Sequence, residues 1–161
     1  MKTHLKIVAS YIICHLISYF AVSIPYYHLV MKGYYSGVNA PFAKFLVTES
    51  NTELWIRAMS LFFPVQILSA VLFSVLLISL YDWMLRQSFL KSVFIVFWCK
   101  GIIGGLASVL PSPGTLEGYL FMIPEITNQI HILVAIEVSL QALLIAILFN
   151  LILFRLWKSK H

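Results

Sequence analysis

"WCKGIIGGLASVLPSPGTLEGYLF", residues 98–121, joins an apolar run to a lysine, closely spaced glycines and a Pro-Ser-Pro-Gly sequence. Proline has no amide hydrogen to donate and biases a helix to end before it, so Pro111 marks the end of this run. On either side of the stretch, the chain is mostly Leu, Ile, Val and Phe. The stretch therefore predicts a membrane helix that carries one charge and ends abruptly.

The composition places the whole chain in a membrane. Of its 161 residues, 61% are hydrophobic and 11% are charged, whereas soluble domains carry about 25% charged residues. Four runs, over residues 7–31, 58–81, 89–110 and 130–154, approach or exceed the roughly 20 apolar residues that cross a bilayer. Backbone amides in lipid must be satisfied within the segment, so these runs are predicted to be helices. The predicted fold is all-α, one polytopic membrane domain over residues 1–161.

The basic residues predict which side of the membrane each end occupies. Lys and Arg near the ends of spans favour the cytoplasmic side, and with four spans both termini share a side. That side carries Lys2, Lys6, Arg86, Lys91, Arg155, Lys158 and Lys160, and the other carries Lys32, Lys44 and Arg57. We therefore expect both termini to be cytoplasmic and the chain to lie in the inner (plasma) membrane. This distribution also accounts for the net charge of +5 without a nucleic-acid partner.

The segment between the first two spans has helical features of its own. Phe42, Phe45 and Leu46 fall on one helical face behind Pro41, which predicts a short interfacial helix on the outer side. Ser50 and Glu53 have the spacing of a capping box, in which each side chain satisfies an exposed backbone amide. This pattern predicts that the second helix begins before the hydrocarbon region.

Five polar residues within the spans form the first candidate site. A charge near the centre of a membrane helix costs at least about 2.5–3.5 kcal/mol, so Lys100 and Glu137 are functional candidates. Their predicted depths allow an ion pair, and Gln141 follows Glu137 by one helical turn. His15 and Gln66 join them as interior polar groups. Three interpretations stay open: an ion pair that fixes helix register, a path for a substrate or an ion, and pairing between subunits.

The glycines of the third span form a candidate packing surface. Gly101 and Gly105 make a G-x-x-x-G pair, and Gly104 and Ser108 make a second pair of small residues at the same spacing. Such pairs let helix backbones approach closely. The pattern fits packing within the chain and contact between subunits equally well.

A turn is predicted directly after the third span. Pro113 and Gly114 fit the second and third positions of a type II turn, and Thr115 then caps a short helix in which Glu117 faces the positive end of the helix dipole. Residues 115–129 are expected either to dip into the outer leaflet or to lie flat on it.

Catalysis and cofactor binding have little support in the sequence. Glu117, Glu125 and His131 give the outer face an enzyme-like composition, but no known hydrolase or metalloprotease pattern is present. Cys14 and Cys99 lie in different spans and make no Cys-x-x-Cys motif. We therefore predict no catalytic residue, no metal site and no cofactor.

The leading functional hypothesis is a subunit of a homo-oligomer or of a larger membrane complex, with an assembly, exclusion, immunity or sensing role. Its expected partners are the lipid bilayer and other membrane-protein chains. The first alternative is an oligomeric channel or small transporter that uses the intramembrane polar cluster. The second alternative is an enzyme that modifies lipids on the outer face.

Overall fold

The computed structural model describes residues 2–36, 40–44, 46–108 and 112–156. These residues form helices and connecting segments, and no strand occurs among them. Four of the helices are long and apolar enough to cross a membrane. For the described residues, the prediction of a helical fold with four helices able to span a membrane is therefore confirmed. The side of the membrane on which each end lies stays a prediction.

The spanning helices are longer than predicted at most of their ends. We name the helices α1 (Thr3–Tyr35), α2 (Thr52–Arg86), α3 (Phe89–Leu106), α4 (Leu116–Phe121) and α5 (Pro124–Leu156). The candidate span within α5 is Ile130–Leu156. Wider π-helical turns interrupt α1 at Tyr19–Ser23 and Tyr27–Met31, and the second half of α3, Trp98–Leu106, is π-helical throughout.

Side-chain caps fix the start of α2 and α3. The Asn51 side chain accepts a hydrogen bond from the backbone N–H of Leu54 at 3.2 Å, so Asn51 is the N-cap of α2. The predicted cap, Ser50, is wrong because its hydroxyl is bonded to that of Thr48 instead. Ser88 caps α3 across a very short connection from α2.

The third span ends earlier than predicted. α3 stops at Leu106, and the N–H groups of Ala107 and Ser108 donate to the carbonyls of Ile102 and Gly105. The predicted end at residue 110 is therefore wrong. Two adjacent glycines weaken this part of the helix before any proline is reached, since glycine is a poor helix former. Pro111, the predicted stop, lies outside the described residues.

The predicted turn after the third span forms. The N–H of Thr115 donates to the carbonyl of Ser112 at 3.1 Å, and Gly114 has a φ of 88°, a value that favours glycine. The Thr115 hydroxyl accepts from the N–H of Gly118 at 2.9 Å and so caps α4. A new helix, α5, then begins at Pro124, six residues before the predicted fourth span.

The predicted interfacial helix is represented by one short turn. Pro41–Lys44 forms a 3₁₀ helix, and Phe45 lies outside the described residues. Phe42 is buried, with its ring 4.3 Å from that of Tyr35. The position of this turn relative to a membrane surface stays a prediction.

The two halves of the helix bundle are packed differently. α1 packs against α2 and α5, and α3 packs mainly against α5. We call the end with the Gln87–Ser88 connection the short-turn end and the opposite end the long-loop end. The main core, which includes Tyr11, Leu77 and Phe149, extends from the middle of the bundle to the short-turn end. Among the described residues of the long-loop end, a small cluster forms around Phe42.

Two glycines set the contact between α3 and α5. A Cβ atom on Gly101 would lie 2.9 Å from Cβ of Ala142, and one on Gly105 would lie 2.8 Å from Cγ1 of Val138. Real Cβ atoms do not approach so closely, so both positions need glycine for this packing. Gly104 is exposed and Ser108 lies beyond the end of α3. The G-x-x-x-G pair is therefore used within the chain.

We predict that Gly101→Ala and Gly105→Ala each lower the free energy of unfolding by about 1–3 kcal/mol, because the added methyl group forces α3 away from α5. Gly104→Ala is the matched control. The nearest atom to a Cβ there is the carbonyl oxygen of Cys99 in its own helix, at 3.3 Å. Because this contact is local to α3, we expect a smaller loss of stability than at Gly101 or Gly105. Unfolding in detergent, followed by tryptophan fluorescence, measures all three. Equal effects at the three positions would contradict this packing.

Candidate intramembrane polar site

Glu137 is held by two neighbours on α1 and α5. The Ser23 hydroxyl donates to Glu137 Oε1 at 2.8 Å, and the Gln141 amide donates to the same oxygen at 3.2 Å. The Gln141 amide also donates to the Ser23 hydroxyl, which closes a triad. Ser23 is buried, whereas Glu137 and Gln141 are half-buried. The carboxylate is thus fixed in place by neutral donors.

Lys100 lies in a different environment. Its ammonium group is 5.6 Å from the centre of the Phe73 ring on α2, a distance at which a cation is attracted to an aromatic face. Lys100 therefore reaches from α3 toward α2, into the middle of the bundle.

Among the described residues, Lys100 and Glu137 do not form the predicted ion pair, because each side chain contacts other residues. The glycine contact explains why. Gly101 packs on Ala142, which lies five residues beyond Glu137 along α5. Lys100 lies one residue further from Glu137 than Gly101 does, so the two charged positions differ by about six residues, or about 9 Å, in depth. The side chains also diverge, because Glu137 bonds to α1 and Lys100 approaches α2.

His15 and Gln66 form the second group of polar contacts. His15 Nε2 and Gln66 Oε1 are 2.9 Å apart and join α1 to α2. His15 is 4% exposed, and its Nδ1 has no hydrogen-bond partner within the described part of the chain. The same holds for the buried hydroxyls of Tyr11 and Ser18. Buried polar atoms of this kind commonly bind ordered water or a ligand.

The structure adds a polar pair that the sequence reasoning missed. The Ser92 hydroxyl of α3 donates to Asn150 Oδ1 of α5 at 2.5 Å, and both residues are fully buried. Asn150 also donates to the carbonyl of Ala146. The asparagine inside the apolar run ILFNLILF, residues 147–154, is the signal in the sequence that could have identified this pair. Ser23 was missed because a lone serine in a span carries little information.

A cavity of about 710 Å³ lies between α1 and α2 at the long-loop half of the bundle. We call it the lateral cavity. It is lined mainly by apolar and aromatic side chains, and two polar members of the triad, Ser23 and Glu137, also line it. Its aromatic lining residues are Tyr19, Phe20, Tyr27, Tyr35, Trp55, Phe62 and Phe63.

The outer turn residues are placed away from the polar triad. Gly114 packs against the backbone of α5 near Val134, and its N–H donates to Nδ1 of His131 at 3.3 Å. Pro113 belongs to the same turn, and Glu117 lies in the first turn of α4. The side chain of Glu125 lies outside the described residues. Among the side chains that are described, no group of three His, Cys, Asp or Glu could hold a metal ion.

Comparison of the chain with protein-family models, with curated proteins and with solved structures found no match. The polar groups and the lateral cavity are therefore the features from which the function of this protein is inferred.

We predict that Ser92→Ala lowers the free energy of unfolding by about 0.6–1.7 kcal/mol, because it removes a buried hydrogen bond between two membrane helices. Ser79→Ala is the matched control. Ser79 is exposed and donates to a carbonyl of its own helix, so the expected change is close to zero. Thermal unfolding in detergent, followed by helical circular dichroism, compares the two. If Ser92→Ala lowered the free energy of unfolding no more than Ser79→Ala does, the buried pair would not contribute to stability.

Proposed function

We propose that this protein binds and passes a small charged or polar solute through its bundle interior, as an oligomeric channel or small transporter. The observation that supports this proposal is the separation of Lys100 from Glu137. Each charge lies within a candidate span, and the two are not paired with each other. The proposal therefore favours the first alternative from the sequence over the complex-subunit hypothesis.

An ion pair that only fixed helix register would join the two side chains. Such a pair would lessen the cost of at least about 2.5–3.5 kcal/mol that each charge carries near a helix centre. In the structure Glu137 receives neutral hydrogen bonds, and Lys100 faces an aromatic ring. Ionisable residues that are retained inside membrane helices commonly mark substrate and ion paths, and here neither charge is used to hold the other.

The polar groups also follow one another along the bundle. From the long-loop end, the triad at Glu137 comes first, then the His15–Gln66 contact, and then the Ser92–Asn150 pair. Ser23 and His15 are eight residues apart on α1, which corresponds to about 12 Å of rise. A solute that moves between the ends would thus meet polar groups at several depths.

Wider helical turns carry several of these residues. Ser23 lies in the π-helical turn Tyr19–Ser23, and Lys100 lies in the π-helical segment Trp98–Leu106. Such turns are rare in proteins and occur frequently at functional sites. Their positions in α1 and α3 support the proposal that these residues act on a ligand.

Assembly with further chains stays part of the proposal. Four helices are few for a lone transporter, so we propose a homo-oligomer or a larger membrane complex as the working unit. The engagement of Gly101 and Gly105 inside the chain removes one surface that was considered for subunit contact. Location in the inner membrane with both termini cytoplasmic is likewise a proposal, and the basic residues at the helix ends support it.

Proteoliposomes under an imposed membrane potential test the proposal. We expect the wild-type protein to speed the decay of the potential relative to empty liposomes. Glu137→Gln and Lys100→Met should each slow this decay at least about tenfold, which corresponds to about 1.4 kcal/mol in the barrier. A potential-sensitive dye follows the decay.

Two matched substitutions control for the loss of a charge elsewhere. Glu117→Gln changes a carboxylate in α4, and Lys91→Met changes an exposed lysine of α3. Both should retain the wild-type rate. A wild-type rate equal to that of empty liposomes, or unchanged rates in the Glu137 and Lys100 variants, would contradict the proposal.

A further inference from the structure

We propose that the lateral cavity binds a lipophilic organic cation, with the cationic centre beside Glu137 and the apolar body against the aromatic lining. The inference rests on the proposed function, because it names the class of solute that the same bundle takes up. It is carried by three features of the cavity: its volume of about 710 Å³, its lining and its charge.

The charge of the cavity selects a cation. Glu137 lines it, and no Lys or Arg occurs among the described lining residues. A second carboxylate, Glu49, accepts a hydrogen bond from the lining residue Tyr27 at 2.6 Å. In a medium of low dielectric constant, the attraction between a carboxylate and a cation is much stronger than in water. A cation in the cavity would therefore meet complementary charge.

The same lining disfavours a phospholipid headgroup. A phosphate needs Arg, Lys or clustered N–H donors, and the cavity presents a carboxylate instead. His28 is the basic side chain found among the described lining residues. A ligand whose only charge is positive fits this arrangement better than a zwitterionic or anionic lipid.

The walls of the cavity suit an apolar body. Phe62 packs against Tyr19 with 4.8 Å between ring centres, and Phe63 lies 5.6 Å from Phe20. Together with Tyr27, Tyr35 and Trp55, these rings offer faces that attract a cation as well as apolar surface. A purely hydrophilic cation would gain little from such walls. The combination predicts a hydrophobic ammonium or phosphonium compound.

Equilibrium binding to the protein in nanodiscs tests this inference, with tetraphenylphosphonium as the probe. Tetraphenylborate, which has a similar shape and the opposite charge, is the control probe. We expect saturable binding of the cation above that of empty nanodiscs and no saturable binding of the anion. Glu137→Gln should weaken cation binding about tenfold or more, whereas Glu117→Gln should leave it unchanged.

A second variant tests the cavity without changing the hydrogen bonds of Glu137. Ala58 lines the cavity on α2, so Ala58→Trp should place an indole ring inside it and weaken binding about tenfold or more. Ala21 lies in a separate groove formed by α1 and α5, so Ala21→Trp should bind normally. Absence of saturable cation binding, equal binding of the anion, or normal binding by Ala58→Trp would overturn the inference.

The binding and transport assays fail in different ways. Saturable cation binding together with a wild-type potential decay equal to that of empty liposomes would contradict the proposed transport function and leave the binding site intact. Potential decay that depends on Glu137, without saturable cation binding, would overturn the inference about the ligand and retain the transport function.

Discussion

The close contact of Gly101 and Gly105 with α5 determines how the polar groups of this protein are arranged. With no side chain at either position, α3 approaches Ala142 and Val138 of α5 directly. This contact fixes the depth of Lys100 relative to Glu137. Since a packed helix pair does not slide freely, the two charges are kept at different levels of the bundle. As a result, Glu137 is bonded to Ser23 and Gln141, and Lys100 lies beside Phe73.

The packing density of the bundle interior differs between its two ends. Toward the short-turn end, the core is close-packed, and its polar pair Ser92–Asn150 is fully buried. Toward the long-loop end, packing is sparse and the lateral cavity brings Glu137 into contact with accessible space. Lys100 and His15 lie between these two regions. A cation that enters the cavity would therefore be held at the acidic, aromatic site, and the positive charge of Lys100 lies deeper in the bundle.

The sequence was sufficient for the architecture because the relevant signals are local. Length and hydropathy predicted four spanning helices, and Pro113, Gly114 and Thr115 predicted the turn and cap that follow α3. Predictions of the exact residue at which a helix begins or ends were less accurate, because neighbouring residues can serve equally well. Asn51 rather than Ser50 caps α2, since the Ser50 hydroxyl is bonded to that of Thr48, and α3 ends early because its glycines weaken it before Pro111 is reached.

The sequence pattern could not predict which side chains on different helices contact each other. Counting residues along two helices placed Lys100 and Glu137 within reach of each other, but it contained no information on register or side-chain direction. The partners of Glu137 and Lys100 come from other helices at the depths that packing imposes. The lateral cavity was likewise unpredictable, because its walls combine distant parts of the chain that carry only ordinary apolar residues.

A double-mutant cycle on Lys100→Met and Glu137→Gln tests the central claim most directly. The free energy of unfolding is measured in detergent for the wild-type protein, the two single variants and the double variant. We predict a coupling energy of at most about 2 kcal/mol, the attraction between unit charges about 9 Å apart at an effective dielectric constant of about 20. A favourable coupling of about 4 kcal/mol or more, the value for charges in contact at about 4 Å, would show that the two side chains form an ion pair and would contradict this arrangement.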